Sequence, residues 1–123
     1  MPSLLAEVLP ISVERAAKQL EKLEQGTEVI IIDLRTPAEF KKGHLKGARN
    51  LDFKAADFTE KLEQLDRKKT YLMHCRSGGR SAASIPVWNR LGFQSVLHMS
   101  SGTLGWTKAG KPLVKMKAVK SPN

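Results

Sequence analysis

The chain of 123 residues has a single cysteine, Cys75. One cysteine excludes an internal disulfide, a paired-cysteine redox motif and a zinc site built from several cysteines. No apolar run approaches the roughly 20 residues of a membrane-spanning helix. The apolar N-terminal stretch lacks a basic region and is interrupted by Glu7, so it makes a poor signal peptide. We therefore expect a protein without a membrane span that resides in the reducing cytoplasm.

Acidic residues are missing from the second half of the chain. All 12 of them lie at or before Asp66, and the formal net charge of the whole chain is +9. A positive field of this kind attracts small anions and favours the ionised form of a thiol. Nucleic acid would be the rival partner, but aromatic residues make up only 6% of the chain and no nucleic-acid-binding motif is present. We therefore expect no nucleic-acid partner.

The hydrophobic pattern alternates between strands and helices. Short apolar runs predict strands at 8–11, 29–32, 70–74 and 95–99, and the segment 43–51 is predicted to be a turn that leads into another short strand. Helices are predicted after Ser12, after Thr36, over 55–65, after the Cys75 segment and over 103–109. Alternation of this kind predicts one α/β domain with a parallel sheet and helices on both faces. We place the domain at residues 5–110 and a basic tail at 111–123, which we expect either to be disordered or to lie along the surface.

The strongest functional signal is the segment 75–81, Cys-Arg-Ser-Gly-Gly-Arg-Ser, which lies between a predicted strand and a predicted helix. Backbone N–H groups and the positive end of the helix dipole would stabilise a thiolate or a bound anion there. Arg76 and Arg80 add forked donors that suit oxyanions. A lone cysteine is more often a small buried apolar residue, but such a residue needs neither the glycines nor the arginines. We predict that Cys75 is a nucleophile at the carboxyl ends of the strands, where ligands bind in parallel sheets.

Two neighbours of this segment carry further expectations. Pro86 lies within the helix that follows, where its ring clashes with the preceding turn, so we expect a kink or a shortened first segment. His74, next to the predicted nucleophile, is a candidate contact for the acceptor, but its side chain should point away from that of Cys75 if the strand alternates normally.

Three blocks of the sequence together resemble one known family. The blocks are Asp33-Leu34-Arg35 with Glu39-Phe40 and residues 43–50, then the segment 75–81, and then residues 91–96 with Gly102 and Trp106. In their order and spacing they resemble the single-domain form of the rhodanese (thiosulfate sulfurtransferase) family. The likeness spans about residues 30–106. It departs from the family at Ser100-Ser101-Gly102, where many relatives have paired glycines.

The resemblance implies a single rhodanese-like domain with a five-stranded parallel sheet. It also implies that Cys75 takes a sulfane sulfur from thiosulfate, a polysulfide or a persulfide, and passes it as a persulfide to cyanide or a thiol. No metal or organic cofactor is needed. The residues that would bind the anionic donor are Arg76, Ser77, Gly78, Gly79, Arg80 and Ser81, with the two arginines on the sulfonate oxygens.

Residues outside this segment are expected to support the structure. Asp33, Arg35 and Glu39 are expected to form one buried polar network that orients the site. His44 is expected to anchor its turn, and Trp106 to close the core rather than line the pocket.

Other functions stay open. Protein phosphatases related by fold place five residues between their cysteine and arginine, whereas four separate Cys75 from Arg80, and Ser81 takes the phosphatase position. The smaller loop favours a sulfur atom over a phosphate. Arsenate reduction would require further thiols. The remaining alternative is a sulfur-relay or protein-interaction module, in which Cys75 carries a persulfide between proteins and thiosulfate turnover is incidental.

Overall fold

The computed structural model describes residues 7–24 and 28–115 of the chain. Within these ranges strands and helices alternate as the hydrophobic pattern predicts. The elements are β1 Glu7–Pro10, α1 Val13–Glu24, β2 Ile30–Asp33, α2 Pro37–Lys42, β3 Arg49–Asn50, α3 Phe58–Glu63, β4 Thr70–His74, α4 Gly79–Leu91, β5 Ser95–His98 and α5 Gly102–Lys108.

The five strands form one sheet in the order β1-β5-β4-β2-β3, and every neighbouring pair is parallel. The predicted five-stranded parallel sheet is therefore confirmed. Strand β4 lies at its centre, between β5 and β2. In register, His98 of β5 lies beside Met73 and Asp33 of β2 lies beside His74. The carboxyl ends of these three strands consequently meet at the edge of the sheet where Cys75 follows β4.

The sheet separates two apolar layers. On one face Met73 and Cys75 pack with Trp88 of α4 and with Phe58 of α3. On the other face the core joins sheet residues such as Leu72 to the helices α1 and α5, through residues that include Ala16 and Trp106. Helices therefore cover both faces, as predicted. Trp106 is 4% exposed, and its burial in the second core agrees with its expected structural role.

Local signals in the sequence account for two of the helix starts. The Ser12 hydroxyl accepts a hydrogen bond from the Arg15 N–H at 3.2 Å, at the start of α1. Thr36 and Glu39 form a reciprocal capping box at α2, in which each side chain accepts a hydrogen bond from the other residue's backbone N–H. Pro37 occupies the first turn, where its missing N–H costs nothing.

Pro86 does not shorten the helix that follows Cys75. Helix α4 runs without a break through 13 residues with Pro86 inside it, so the expected shortening of its first segment is wrong. Both Pro86 and Ala82, the residue whose carbonyl would have accepted the missing N–H, lie on the exposed side of the helix. Water can reach that carbonyl, which lowers the cost of the lost hydrogen bond.

The first residues of the predicted tail pack against the domain. His44 and Val114 exchange two backbone hydrogen bonds of 2.9 and 2.8 Å, and the Trp106 indole donates to the Pro112 carbonyl oxygen at 2.8 Å. The His44 ring stacks on Phe40, with its Nδ1 2.9 Å from the Phe40 carbonyl oxygen, and thus anchors its turn as expected. The rest of the tail, 116–123, lies outside the described residues. Among the described helices, none has the length and apolar character needed to cross a membrane.

Candidate active site

The Cys75 sulfur lies in a loop of donors between β4 and α4. Its Sγ accepts hydrogen bonds from the backbone N–H of Gly78 at 3.1 Å and of Ser81 at 3.4 Å. The Ser81 hydroxyl oxygen lies 3.3 Å from the same sulfur. Cys75 is only 1% exposed. The loop therefore surrounds the sulfur with hydrogen-bond donors that stabilise negative charge on it.

Two glycines allow this loop to form. Gly78 has a φ of 101°, and a Cβ there would collide with the carbonyl oxygen of Ser100. Gly102 has a φ of 63°, and a Cβ there would collide with the carbonyl oxygens of Arg76 and Cys75. The connection from β5 to α5 thus passes directly against the Cys75 loop. Ser101, in the segment where the sequence departs from the family, has a φ of −73° that any residue adopts, so its backbone conformation needs no glycine.

The helix α5 holds the loop from its other side. The backbone N–H of Thr103 donates to the Cys75 carbonyl oxygen, and that of Leu104 donates to the Arg76 carbonyl oxygen, both at 3.0 Å. These N–H groups belong to the first turn of α5, where no partner exists within the helix. The loop carbonyls are thereby paired, and the loop N–H groups remain directed at the sulfur.

Opposing effects set the pKa of the Cys75 thiol. Burial alone would raise the pKa, because it disfavours the charged thiolate. Hydrogen bonds from the Ser81 hydroxyl and from the backbone N–H groups of Ser81, Gly78 and Ser77 act in the other direction. Their combined effect is larger, and the pKa of Cys75 lies below its ordinary value. The site therefore favours the nucleophilic form of sulfur.

A histidine that the sequence analysis did not single out lies behind Ser81. His98 Nε2 is 2.7 Å from the Ser81 hydroxyl oxygen, and His98 is buried at the end of β5. Burial and the neighbouring His74 both hold the pKa of His98 below its ordinary value. The signal that could have found it is topological, because a residue that ends the strand beside β4 lies at the same edge of the sheet as Cys75.

The two arginines of the loop have different surroundings. Arg80 donates from its two terminal nitrogens to the two carboxylate oxygens of Glu39, at 2.7 and 3.0 Å. Arg76 is exposed. The forked donors of Arg80 are thus engaged by a carboxylate, which differs from the expectation that both arginines hold the donor's sulfonate. Arg80 lowers the pKa of Glu39 to about 2, an effect that burial opposes and hydrogen bonds from Thr36 reinforce.

The expected polar network of Asp33, Arg35 and Glu39 consists instead of two separate ion pairs. Arg35 binds Asp33 through its Nε and Nη2 atoms, with the shortest distance 2.7 Å, and both residues are buried. Its Nη2 atom also donates to the Gly43 carbonyl oxygen at 2.7 Å. Glu39 belongs to the other pair, with Arg80. The Asp33–Arg35 pair joins the end of β2 to the turn that begins at Gly43.

His74 does not reach the Cys75 sulfur. It is fully buried, and its Nδ1 lies 3.0 Å from the Cys75 carbonyl oxygen. Burial lowers the pKa of His74, which keeps its ring neutral. A buried neutral ring that faces the backbone is not available to an acceptor molecule.

A cationic cleft of about 270 Å³ lies beside the loop. Its lining residues are Arg35, Glu39, Lys42, Gly43, Arg76 and Leu113. Glu39 and Arg35 are each engaged in an ion pair. Lys42 and Arg76 are exposed, and no carboxylate of the residues that the structure describes forms an ion pair with either. The cleft therefore presents positive charge next to Cys75.

A second cleft of about 410 Å³ is mainly apolar and is lined by Leu20 of α1, Trp106 of α5 and Pro112 among others. It includes no residue of the Cys75 loop, so the smaller cationic cleft is the one beside Cys75. Within the described part of the chain, no group of three or more His, Cys, Asp or Glu side chains could hold a metal ion.

Residues 16–109 match the family described as the Rhodanese-like domain. The chain is 33% identical over 113 residues to an uncharacterized protein of Synechocystis, a similarity that covers 92% of this chain and 62% of that relative. It is 27% identical over 94 residues to a sulfurtransferase of Allochromatium vinosum, covering 76% of this chain and 86% of the relative. A rhodanese-related protein from Thermoplasma volcanium shares the fold, with a TM-score of 0.73 and 24% identity over 86% of this chain and 97% of that one.

Some relatives are longer than this chain, which spans 62% of the Synechocystis protein and 23% of two proteins from Mycobacterium tuberculosis. The match to the family itself covers most of the chain and includes the sheet edge, the Cys75 loop and the start of α5. This chain belongs to the rhodanese-like domain family.

Proposed function

We propose that this protein is a sulfurtransferase that carries a sulfane sulfur on Cys75, from thiosulfate to an acceptor such as cyanide or a thiol. The observation that carries the proposal is the set of donors on the Cys75 sulfur, the N–H groups of Gly78 and Ser81 and the Ser81 hydroxyl. The relative from Allochromatium vinosum is named a sulfurtransferase, which supports the same class of chemistry.

In the first half-reaction the Cys75 thiolate attacks the outer sulfur of thiosulfate. A bond forms between the two sulfurs, and the bond from the outer sulfur to the sulfonate sulfur breaks. The leaving group takes that electron pair and departs as sulfite, while Cys75 becomes a persulfide. The N–H donors of the loop stabilise the negative charge on sulfur before and after the transfer.

In the second half-reaction the acceptor attacks the terminal sulfur of the persulfide. Cyanide leaves as thiocyanate, a thiol leaves as a persulfide, and the Cys75 thiolate is regenerated with the electron pair of the broken bond. The two half-reactions share one covalent intermediate, so ping-pong kinetics are expected. Polysulfides and persulfides would serve as donors by the same attack.

The cationic cleft supports an anionic donor. Arg76 and Lys42 present positive charge at this cleft, and we assign the sulfonate oxygens of the donor to Arg76. Ser77 and Gly79 complete the donor-binding loop in this proposal. Arg80, held by Glu39, fixes the start of α4 instead of holding the donor. The Asp33–Arg35 pair supports the neighbouring strand end.

Phosphate hydrolysis is less well supported by the same residues. A phosphatase loop of this type needs an arginine at the position of Ser81. Here Ser81 contacts the sulfur directly, and the preceding arginine is engaged by Glu39.

We place the reaction in the cytoplasm, because a single free thiol fits a reducing compartment.

The proposal is tested by mass measurement on the intact, reduced protein after incubation with thiosulfate or a polysulfide. We expect the mass to increase by one sulfur atom, and addition of cyanide to remove that atom and release thiocyanate. Cys75→Ser, which keeps the size of the side chain, should show neither change. Failure of every donor to add sulfur to the folded protein would overturn the proposal. Sulfur uptake with very slow release to small acceptors would instead favour the relay module.

A further inference from the structure

The Ser81 hydroxyl has three neighbours but only one hydrogen to give. Its oxygen lies 3.3 Å from Cys75 Sγ, 2.7 Å from His98 Nε2 and 3.2 Å from the Gly78 carbonyl oxygen. A hydroxyl donates one hydrogen bond and accepts up to two. The carbonyl oxygen can only accept, and a thiolate can only accept. The direction of this one hydrogen therefore decides whether Ser81 stabilises negative charge on the sulfur.

We infer that His98 is a positioning residue that directs the Ser81 hydrogen to the Cys75 sulfur. The neutral ring carries its hydrogen on Nε2 and donates it to the Ser81 oxygen. A hydroxyl that receives this bond has its own hydrogen left for the sulfur. With the hydrogen on Nδ1 instead, the bare Nε2 would compete for the Ser81 hydrogen over the shortest of the three contacts and withdraw it from the sulfur.

Competition from the Gly78 carbonyl does not change this outcome when the sulfur is ionised. A hydrogen bond to an anion is roughly twice as strong as one between neutral groups. The Ser81 hydrogen therefore goes to the thiolate and not to the carbonyl. The chain of donors runs from His98 through Ser81 to Cys75, across β5, α4 and the loop after β4.

The surroundings of His98 favour a neutral ring. Such a ring acts on Ser81 through the position of its one hydrogen, on Nε2 or on Nδ1, and not through a charge. His98 is buried beside Met73 in the register of the sheet. Its titratable neighbours are His74 on β4, whose own ring is kept neutral by burial, and Cys75 beyond Ser81. A buried imidazolium would be costly at this position. His98 therefore needs no change of charge to set the direction of the hydrogen bond.

This inference rests on the proposed function for its consequence in the reaction. The thiolate is present twice in each cycle, as the attacking group and as the group that leaves when the acceptor takes the sulfur. A donor fixed on Sγ increases the ionised fraction for the first event and stabilises the leaving thiolate in the second. His98 would thus assist both half-reactions without contact with the donor or the acceptor.

The test is the pKa of the Cys75 thiol in the full chain, measured from the pH dependence of alkylation by iodoacetamide. This reaction needs no sulfur donor, so its outcome is independent of whether the protein transfers sulfur. His98→Leu removes the donor, whereas His98→Gln can place an amide N–H close to the position of Nε2. We expect His98→Leu to raise the pKa and lower the thiolate fraction about threefold, because a hydroxyl that no longer accepts a hydrogen bond is a weaker donor to the sulfur, and His98→Gln to restore most of it.

A double variant separates this role from simple packing. Ser81→Ala should raise the pKa of Cys75 by itself, and adding His98→Leu to it should have no further effect, because His98 acts only through Ser81. An unchanged pKa in folded His98→Leu would overturn the inference, as would an equal shift from His98→Leu in the absence of the Ser81 hydroxyl.

If His98→Leu does not fold, the unaltered protein still decides the matter. NMR of the protein labelled with ¹⁵N in its histidines distinguishes the two neutral tautomers. We expect the His98 hydrogen on Nε2, and a hydrogen on Nδ1 would overturn the inference.

Discussion

Arg80 binds Glu39 through a pair of hydrogen bonds, of 2.7 and 3.0 Å, that connect residues 41 positions apart in the chain. The same carboxylate accepts the Thr36 N–H at 3.2 Å and completes the capping box of α2. One side chain therefore fastens the helix after the Cys75 loop to the helix beside the cationic cleft.

Glu39→Gln should lower the free energy of unfolding at pH 7 by about 1 kcal/mol, a modest value because this ion pair is partly exposed and screened by solvent. The folded pKa of about 2 lies below the ordinary value of 4.5. The stabilisation is therefore fully present above pH 4.5 and is lost as the pH falls through about 2. Urea unfolding at pH 7 and pH 3 should show the difference between the two proteins shrinking.

The matched control is Asp57→Asn, which removes an exposed ion pair with Lys61 and should change stability little. A difference between Glu39→Gln and the unaltered protein that is equally large at both pH values would contradict the expected role of the charge.

Asp33→Asn should destabilise the fold by about 3 kcal/mol, because it leaves the buried Arg35 guanidinium without its counter-charge. Removal of both charges in Asp33→Asn/Arg35→Met should cost less than the single change. Guanidinium unfolding of the three proteins measures both values. A double variant that is as unstable as Asp33→Asn would show that the ion pair itself, and not the unpaired charge, decides the loss.

Gly102→Ala should lower the free energy of unfolding by roughly 3 kcal/mol, because it combines a positive φ with a collision against the loop carbonyls of Cys75 and Arg76. Gly110→Ala is the control, since Gly110 has a φ of 78° but open space around its Cα. Gly110→Ala should lower the free energy of unfolding by only about 1 kcal/mol, which is the cost of placing a side chain at a positive φ. Thermal and urea unfolding separate the two, and equal losses would argue against close packing of α5 on the loop.

Arg76→Gln should raise the KM for thiosulfate about tenfold, because it removes the charged hydrogen-bond donor that we propose for the sulfonate. Arg90→Gln removes the same charge from the exposed surface at the far end of α4 and serves as the control. Steady-state assays with cyanide as acceptor measure both. If the two substitutions raise the KM equally, Arg76 acts only through the net charge of the protein.

Much of the fold follows from interactions between near neighbours in the chain. The apolar runs before Asp33 and Cys75 predict buried strands, and the spacing of Thr36, Pro37 and Glu39 predicts the start of α2. The strand, glycine loop and helix around Cys75 place the sulfur at a helix start by local geometry alone. The alternation of strands and helices along the chain likewise predicts the parallel sheet.

Two features of the site depend on residues that are distant in the chain. The sequence presents Arg76 and Arg80 as equivalent cations, yet Arg80 meets Glu39 only because α2 and α4 come together in the folded chain. His98 is an ordinary strand residue until β5 lies beside β4.

The sequence alone pointed to Cys75, the loop that surrounds it and the class of sheet, because these depend on residue type and local spacing. Tertiary structure decided which charges are paired, which histidine lies behind Ser81 and why Gly102 has no room for a side chain. Those features arise where separate segments approach within hydrogen-bonding or van der Waals distance, and no local pattern encodes such a meeting.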